Sequence, residues 1–172
     1  MHELTGRLLA IDPGPHTSGA VVWNLRERCL EHVYPEIPNG DLLTLYHNAA
    51  AVTNVAIEMI ASYGMPVGAE TFETCVWIGR FMEALGPSRV DMVYRREVKL
   101  FLCGNAGAKD AHIAQAIRDR FPATGGGAKP EVGTSKQPGP LYGVSKHAWA
   151  ALGVALTWQA RQTGWVHDPA GL

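Results

Sequence analysis

Two short apolar runs near the N-terminus, Arg7–Asp12 (RLLAID) and residues 18–23 (SGAVVW), are separated by little more than Pro13-Gly14. Runs this short, broken by a Pro-Gly turn and rich in small and β-branched residues, predict two strands joined tightly. Residues 28–33 (RCLEHV) alternate weakly and predict a third, edge-like strand before a break at 35–40. The period then changes. Residues 41–51 (DLLTLYHNAAA) open on an N-cap candidate, Asp41, and space Leu42, Leu45, Tyr46 and Ala49 along one helical face. Residues 55–60 (VAIEMI) have the pattern of a buried strand with one charge in its middle.

After a loop at 62–68, Ala69–Leu85 predicts a helix with Phe72, Val76, Ile78 and Met82 among its apolar positions, stopped by Gly86-Pro87. Residues 89–94 (RVDMVY) alternate as a strand, and 97–103 predict a short helix. Residues 109–121 predict a helix with Ile113, Ala116 and Ile117 inward, and 144–161 a last helix with His147, Ala151, Val154 and Trp158 at helical spacing. Early hairpins that give way to βα units close most simply as a mixed sheet of these five strands flanked by helices, an α/β fold.

Between the last two helices, residues 122–141 are punctuated by Pro122, Pro130, Pro138 and Pro140 and by Gly125, Gly126, Gly127, Gly133 and Gly139. That segment predicts a long, flexible functional loop without regular structure. The 172 residues otherwise amount to one domain. With 47% hydrophobic residues, 18% charged residues and a mean hydropathy of −0.04, the chain has enough apolar material for a core and is a poor candidate for disorder. Its longest apolar stretches, 54–61 and 148–158, fall short of the ~20 residues of a membrane span. Residues 1–6 lack a signal-peptide pattern, so a cytoplasmic location without membrane association is the expectation. Cys29, Cys75 and Cys103 are odd in number and have no C-x-x-C spacing, which predicts buried reduced thiols rather than disulfides or a zinc site.

The net charge of −1 hides an uneven distribution. Residues 1–79 carry three Lys/Arg against nine Asp/Glu, whereas residues 80–146 carry eleven against six. A basic segment beside an acidic one suits a phosphate-binding surface next to a carboxylate cluster, although solvated helix faces give the same count. Two acids stand out. Asp12 closes an otherwise apolar strand and Glu58 lies inside another. A carboxylate in a buried run is costly unless it is paired or binds a cation, and oxygen donors without cysteine suit Mg²⁺ or Mn²⁺.

LLAIDPGPHTSGAVVW around Asp12, VAIEMI around Glu58, RVDMVYRREVKLFLCGNAGAKDAHIAQAI and the C-terminal GVSKHAWAALGVAL together resemble the RuvC family of Holliday-junction endonucleases over roughly residues 7–160. The third block matches the family's strand, x-x-x-V-K, Gly-rich turn and Lys-led helix. The resemblance implies an RNase H-like fold and structure-selective cleavage of branched DNA by two-metal hydrolysis, with Mg²⁺ as cofactor and Mn²⁺ as its substitute. It further implies a homodimer, matching the two symmetric strands of a four-way junction. The helix 69–85 is the expected interface, and a bacterial or phage-infected cell the expected setting.

Carried over residue by residue, the resemblance makes Asp12, Glu58 and His147 the catalytic and metal-binding residues. On the last helix the family has two functional residues three apart, which fall here on His147 and Ala150. An imidazole ligates a metal or moves a proton, but an alanine does neither, and an Asp is expected at 150. A natural His-dependent variant, an inactivating substitution and a junction-binding protein that cuts poorly all remain open. For DNA, the candidates are Arg95, Arg96, Lys99 and Lys109 around the turn at 104–108, with Lys129, Lys136 and Lys146 bordering the long loop.

Other residues have plainer readings. Glu70 and Glu73 are solvated helix acids, and Asp110 is favourably placed at a helix start without catalysis. Trp77 and Phe81, and likewise Trp149 and Trp158, are packing residues rather than base-stacking platforms. His16 is an exposed loop residue, while His2, His32, His47, His112 and His167 have no metal spacing and no role. A rival from another class is half of an actin-like or sugar-kinase-like ATPase, whose D-x-G turn holds a nucleotide phosphate. Stabilisation by nucleotide without DNA binding would favour it.

Overall fold

The computed structural model describes residues 4–62 and 64–165, which leaves His2 and His167 outside the described residues. Five strands form one sheet in the order β3-β2-β1-β4-β5. They are β1 (Arg7–Asp12), β2 (Thr17–Asn24), β3 (Cys29–Pro38), β4 (Val52–Met59) and β5 (Val90–Tyr94). The turn carrying Pro13-Gly14 makes β1 and β2 antiparallel, as are β2 and β3, while β1, β4 and β5 run parallel. Helices α1 (Asn39–Tyr46) and α2 (Ala69–Leu85) accompany one face; α3 (Arg95–Cys103), α4 (Asp110–Arg118) and α5 (Ala148–Gln162) cover the other. The mixed, helix-flanked sheet is the architecture expected from the sequence. Among the described residues, no helix is long and apolar enough to cross a membrane.

The sheet's period of two divides the core. Leu8, Ala10, Val21 and Trp23 pack towards α5, while Leu9, Ile11, Ala20 and Val22 pack on the opposite side with Ile57, Ile78 and Phe81. Helix α5 is buried nearly all round, with Ala148, Ala151, Leu152, Val154 and Ala155 inaccessible. Its far end is tied down by polar contacts. The Trp23 indole donates to Gln159 at 2.9 Å, the Gln159 amide donates to the Leu25 carbonyl at 2.9 Å, and the Trp158 indole donates to Asp91 at 2.7 Å.

Several expectations need correction. β3 continues through Pro35 to Pro38 instead of breaking at 35–40, because an edge strand pairs on one side only and tolerates residues without an N–H. Helix α1 begins at Asn39, so Asp41 lies in its first turn rather than at its cap. Asn39 is buried and braces the β1–β2 turn, its amide donating to the Gly14 carbonyl at 2.9 Å and its oxygen accepting from the Ser18 hydroxyl at 2.6 Å. On α2 the buried face is Thr74, Ile78, Phe81 and Leu85, while Phe72 and Val76 face solvent. Cys29 and Cys75 are exposed thiols and Cys103 is half-buried, since the first begins an edge strand and the second lies on the outer side of α2.

Residues 122–141 contain no helix and only the isolated bridge Gly133–Pro138. Their backbone groups are nevertheless bonded to one another. Gly125 donates to Pro130, Gly126 to Gln137, Gly139 to Val132 and Leu141 to Glu131, at 2.8 to 3.0 Å. A Cβ on Gly139 would lie 2.3 Å from the Pro130 carbonyl, so the chain crosses itself too closely for any side chain there. Bonded amides open only by local unfolding. The amides of Gly125, Gly139 and Leu141 are therefore expected to exchange with deuterium more slowly than those of Gly64, Val67 and Gly68; equal rates would establish the flexible loop that the composition suggests.

Candidate functional site

Alternation along β1 places Asp12 on the same face as Leu8 and Ala10, and alternation along β4 does the same for Glu58 after Ala56. β1 and β4 are parallel neighbours paired as far as Ile11–Ile57, so the two acids emerge side by side at the C-terminal ends of their strands, under the start of α5. Each carboxyl group acts on the other's ionisation. His147 forms the N-cap of α5, and its Nδ1 lies 3.4 Å from an Asp12 carboxylate oxygen. Its backbone N–H donates to the Pro35 carbonyl at 3.2 Å, so the extended β3 also helps place it. Gly19, directly opposite Asp12 on β2, permits this approach: a Cβ there would meet the His147 backbone at 2.5 Å.

These residues line a cleft of about 380 Å³ together with Arg95, Asp110, Lys146, Trp149 and Ala150. Arg95, the first residue of α3, donates to Glu58 at 3.2 Å and also pairs with Asp110, the first residue of α4. Lys146 precedes His147 in a left-handed backbone conformation (φ 46°) and pairs with Glu36. Ala150 contributes wall and no donor.

Burial pushes the Glu58 carboxyl up to about 8, with the neighbouring Asp12 adding to the rise and Arg95 opposing it. Burial also raises Asp12, against the Glu58 hydrogen bond and the Arg95 charge, while Asp110 reinforces the rise. At neutral pH the pair thus shares a proton. An unfolded glutamate ionises near 4.5, so the folded chain binds the extra proton between about 4.5 and about 8. Stability contributed by this group is full below that window and is lost as pH rises through it. Denaturant midpoints are expected to fall from pH 5 to pH 8, and Glu58→Gln to flatten that slope. An unchanged slope in the variant would contradict the assignment.

The cleft thus brings together Asp12, Glu58, His147, Arg95, Lys146 and the donor-free Ala150. It does not include the other DNA candidates. Arg96 and Lys99 line a neighbouring cavity of about 460 Å³ with Arg95, Ala106 and Gly107. Lys109, Lys129 and Lys136 are exposed and line neither cavity. Two cleft residues have plainer sequence readings: Asp110, because a first-turn acid on α4 has the same pattern whether or not it faces a cavity, and Trp149, half-buried in the wall. Trp158 and Phe81 are buried packing residues, as their spacing suggests. Glu73 lies 4.0 Å from His16, outside the cleft lining.

As the side chains stand, the donors do not fit a two-ion centre. Asp12 faces His147, Glu58 accepts from Arg95, and position 150 offers nothing. Among the described residues, no group of three or more His, Cys, Asp or Glu is placed to hold a metal ion.

No family model and no curated protein sequence matches the chain. Solved structures do. Thermus thermophilus RuvC superposes with a TM-score of 0.61 at 19% identity, covering 92% of this chain and 96% of that one. T. thermophilus RuvC in complex with Holliday junction substrate gives 0.62 at 18% identity with the same coverage. The fold is RuvC-like. At this identity the likeness establishes the RNase H-like architecture alone, and what the cleft does must be argued from its own residues.

Proposed function

We propose that this chain binds branched DNA, a four-way junction first of all, in the cleft at the C-terminal ends of β1 and β4, and that strand cleavage there is impaired. The observation that carries the reading is the pairing at the cleft's centre. Glu58 accepts from Arg95, Asp12 faces His147, and Ala150 occupies the wall where a further acid would complete a hydrolytic site. Binding asks less. Arg95 and Lys146 in the cleft, with Arg96 and Lys99 beside it, supply charges for phosphates; Lys109, Lys129 and Lys136 extend the basic surface.

A second reading, an active junction endonuclease, is supported by the convergence of Asp12, Glu58 and His147. In that reading Asp12 and Glu58 would hold Mg²⁺, or Mn²⁺ in its place, and the ion would supply Lewis-acid activation of water and phosphate. His147 is placed to ligate or to move a proton. Both readings suit a homodimer in the cytoplasm of a bacterial or phage-infected cell, with the exposed Phe72 and Val76 of α2 as the apolar contact. A labelled junction is expected to shift at a protein concentration about tenfold below that needed for a matched linear duplex, in chelator. Equal affinity for the two DNAs would remove the structure-selective reading.

A further inference from the structure

The third block of the sequence puts one cation inside the cleft rather than beside it. Arg95 directly follows the last residue of β5, and its start is fixed because the Tyr94 N–H donates to the Glu97 carboxylate at 2.8 Å. From there the guanidinium spans two carboxylates of unlike surroundings. The Glu58 side chain is 9% exposed, whereas that of Asp110 is 84% exposed and Arg95 itself 32%. The buried contact holds and orients the fork. The exposed one is bathed in solvent, where an ion pair is weak and exchangeable.

We propose that Arg95 takes a DNA phosphodiester in the cleft, and that Asp110 is a positioning residue that holds the guanidinium ready and competes with the phosphate for it. A guanidinium presents paired donors that match two phosphate oxygens, so a phosphodiester takes over the donors that Asp110 releases while Glu58 keeps the side chain aligned. The inference rests on the cleft being the DNA site.

The test is junction affinity in chelator across a range of salt, for the full chain and for Asp110→Asn, Arg95→Ala, Arg95→Lys and the double variant, with thermal melting as a check on folding. Asp110→Asn is expected to tighten binding about fivefold, and Arg95→Ala to weaken it about tenfold while reducing the salt slope by about one. Arg95→Lys, which keeps charge but loses the fork, falls between. In the double variant the gain from Asp110→Asn disappears. A gain that persists without Arg95 overturns the competition, as does an Asp110→Asn protein that binds like the parent. If Arg95 is only a structural tie, Arg95→Ala melts lower with unchanged affinity and salt slope, and the inference fails. A parent chain that binds no DNA at all overturns the functional reading and this inference with it.

Discussion

Gly19→Ala is expected to destabilise the protein by about 3 kcal/mol, at the upper end of what overpacking costs. In a strand such a change normally helps slightly, because alanine has less unfolded-state freedom to lose. Here the new methyl would lie 2.5 Å from the carbonyl carbon, the carbonyl oxygen and the Cβ of His147. Two of those atoms are backbone, so no rotamer relieves the contact. The first turn of α5 must move, yet Ala148, Ala151 and Leu152 are inaccessible within the core and the His147 N–H is bonded to Pro35. Urea denaturation measures the loss. Gly40→Ala is the control, since nothing lies within 4 Å of a Cβ there and the site is in a helix, so it is expected to be neutral or slightly stabilising. A Gly19→Ala protein within about 0.5 kcal/mol of the parent would show that α5 slides freely.

Ala150→Asp is expected to raise junction cleavage in Mg²⁺ by about a hundredfold, which corresponds to roughly 2.7 kcal/mol of transition-state stabilisation. Ala150 is half-buried in the wall of an open cleft of about 380 Å³, so a carboxylate fits without displacing the core. It would add a further acid to a cleft in which Glu58 is tied to Arg95 and Asp12 faces His147. The same substitution has the opposite sign in chelator. An added negative charge beside the phosphate path weakens binding, so junction affinity drops there even as cleavage with metal rises. Ala150→Asn, of similar size and no charge, is expected to do neither. Cleavage unchanged by Ala150→Asp would mean that His147 already completes the site.

The strands of the sheet were legible because period-two apolar runs and Pro-Gly breaks are local signals. Asp12 and Glu58 were legible for a related reason: a carboxylate inside an apolar strand is anomalous wherever the strand sits. What escaped was set by neighbours distant in sequence. Nothing local in CLEHVYPEIP says that this strand lies at the sheet's edge and so keeps pairing through its prolines. The inward face of α2 follows from where the sheet lies beneath it, which favours Thr74 over the more apolar Phe72. Asp110 and Gly19 were missed because their roles are relational. One acquires its place from Arg95, fifteen residues earlier, and the other from a helix that begins more than a hundred residues later.

On the proposed reading, the cleft recognises a branched junction but cuts it poorly. One experiment measures both properties: labelled four-way junction and matched duplex, incubated with the parent chain and with Ala150→Asp in chelator, Mg²⁺ and Mn²⁺, and resolved on parallel native and denaturing gels. The expected result is junction-selective binding by the parent with little or no nicking in either metal, and paired nicks once aspartate stands at 150. Rapid paired nicking by the parent, abolished by Asp12→Asn, would contradict it and identify the chain as an active junction endonuclease.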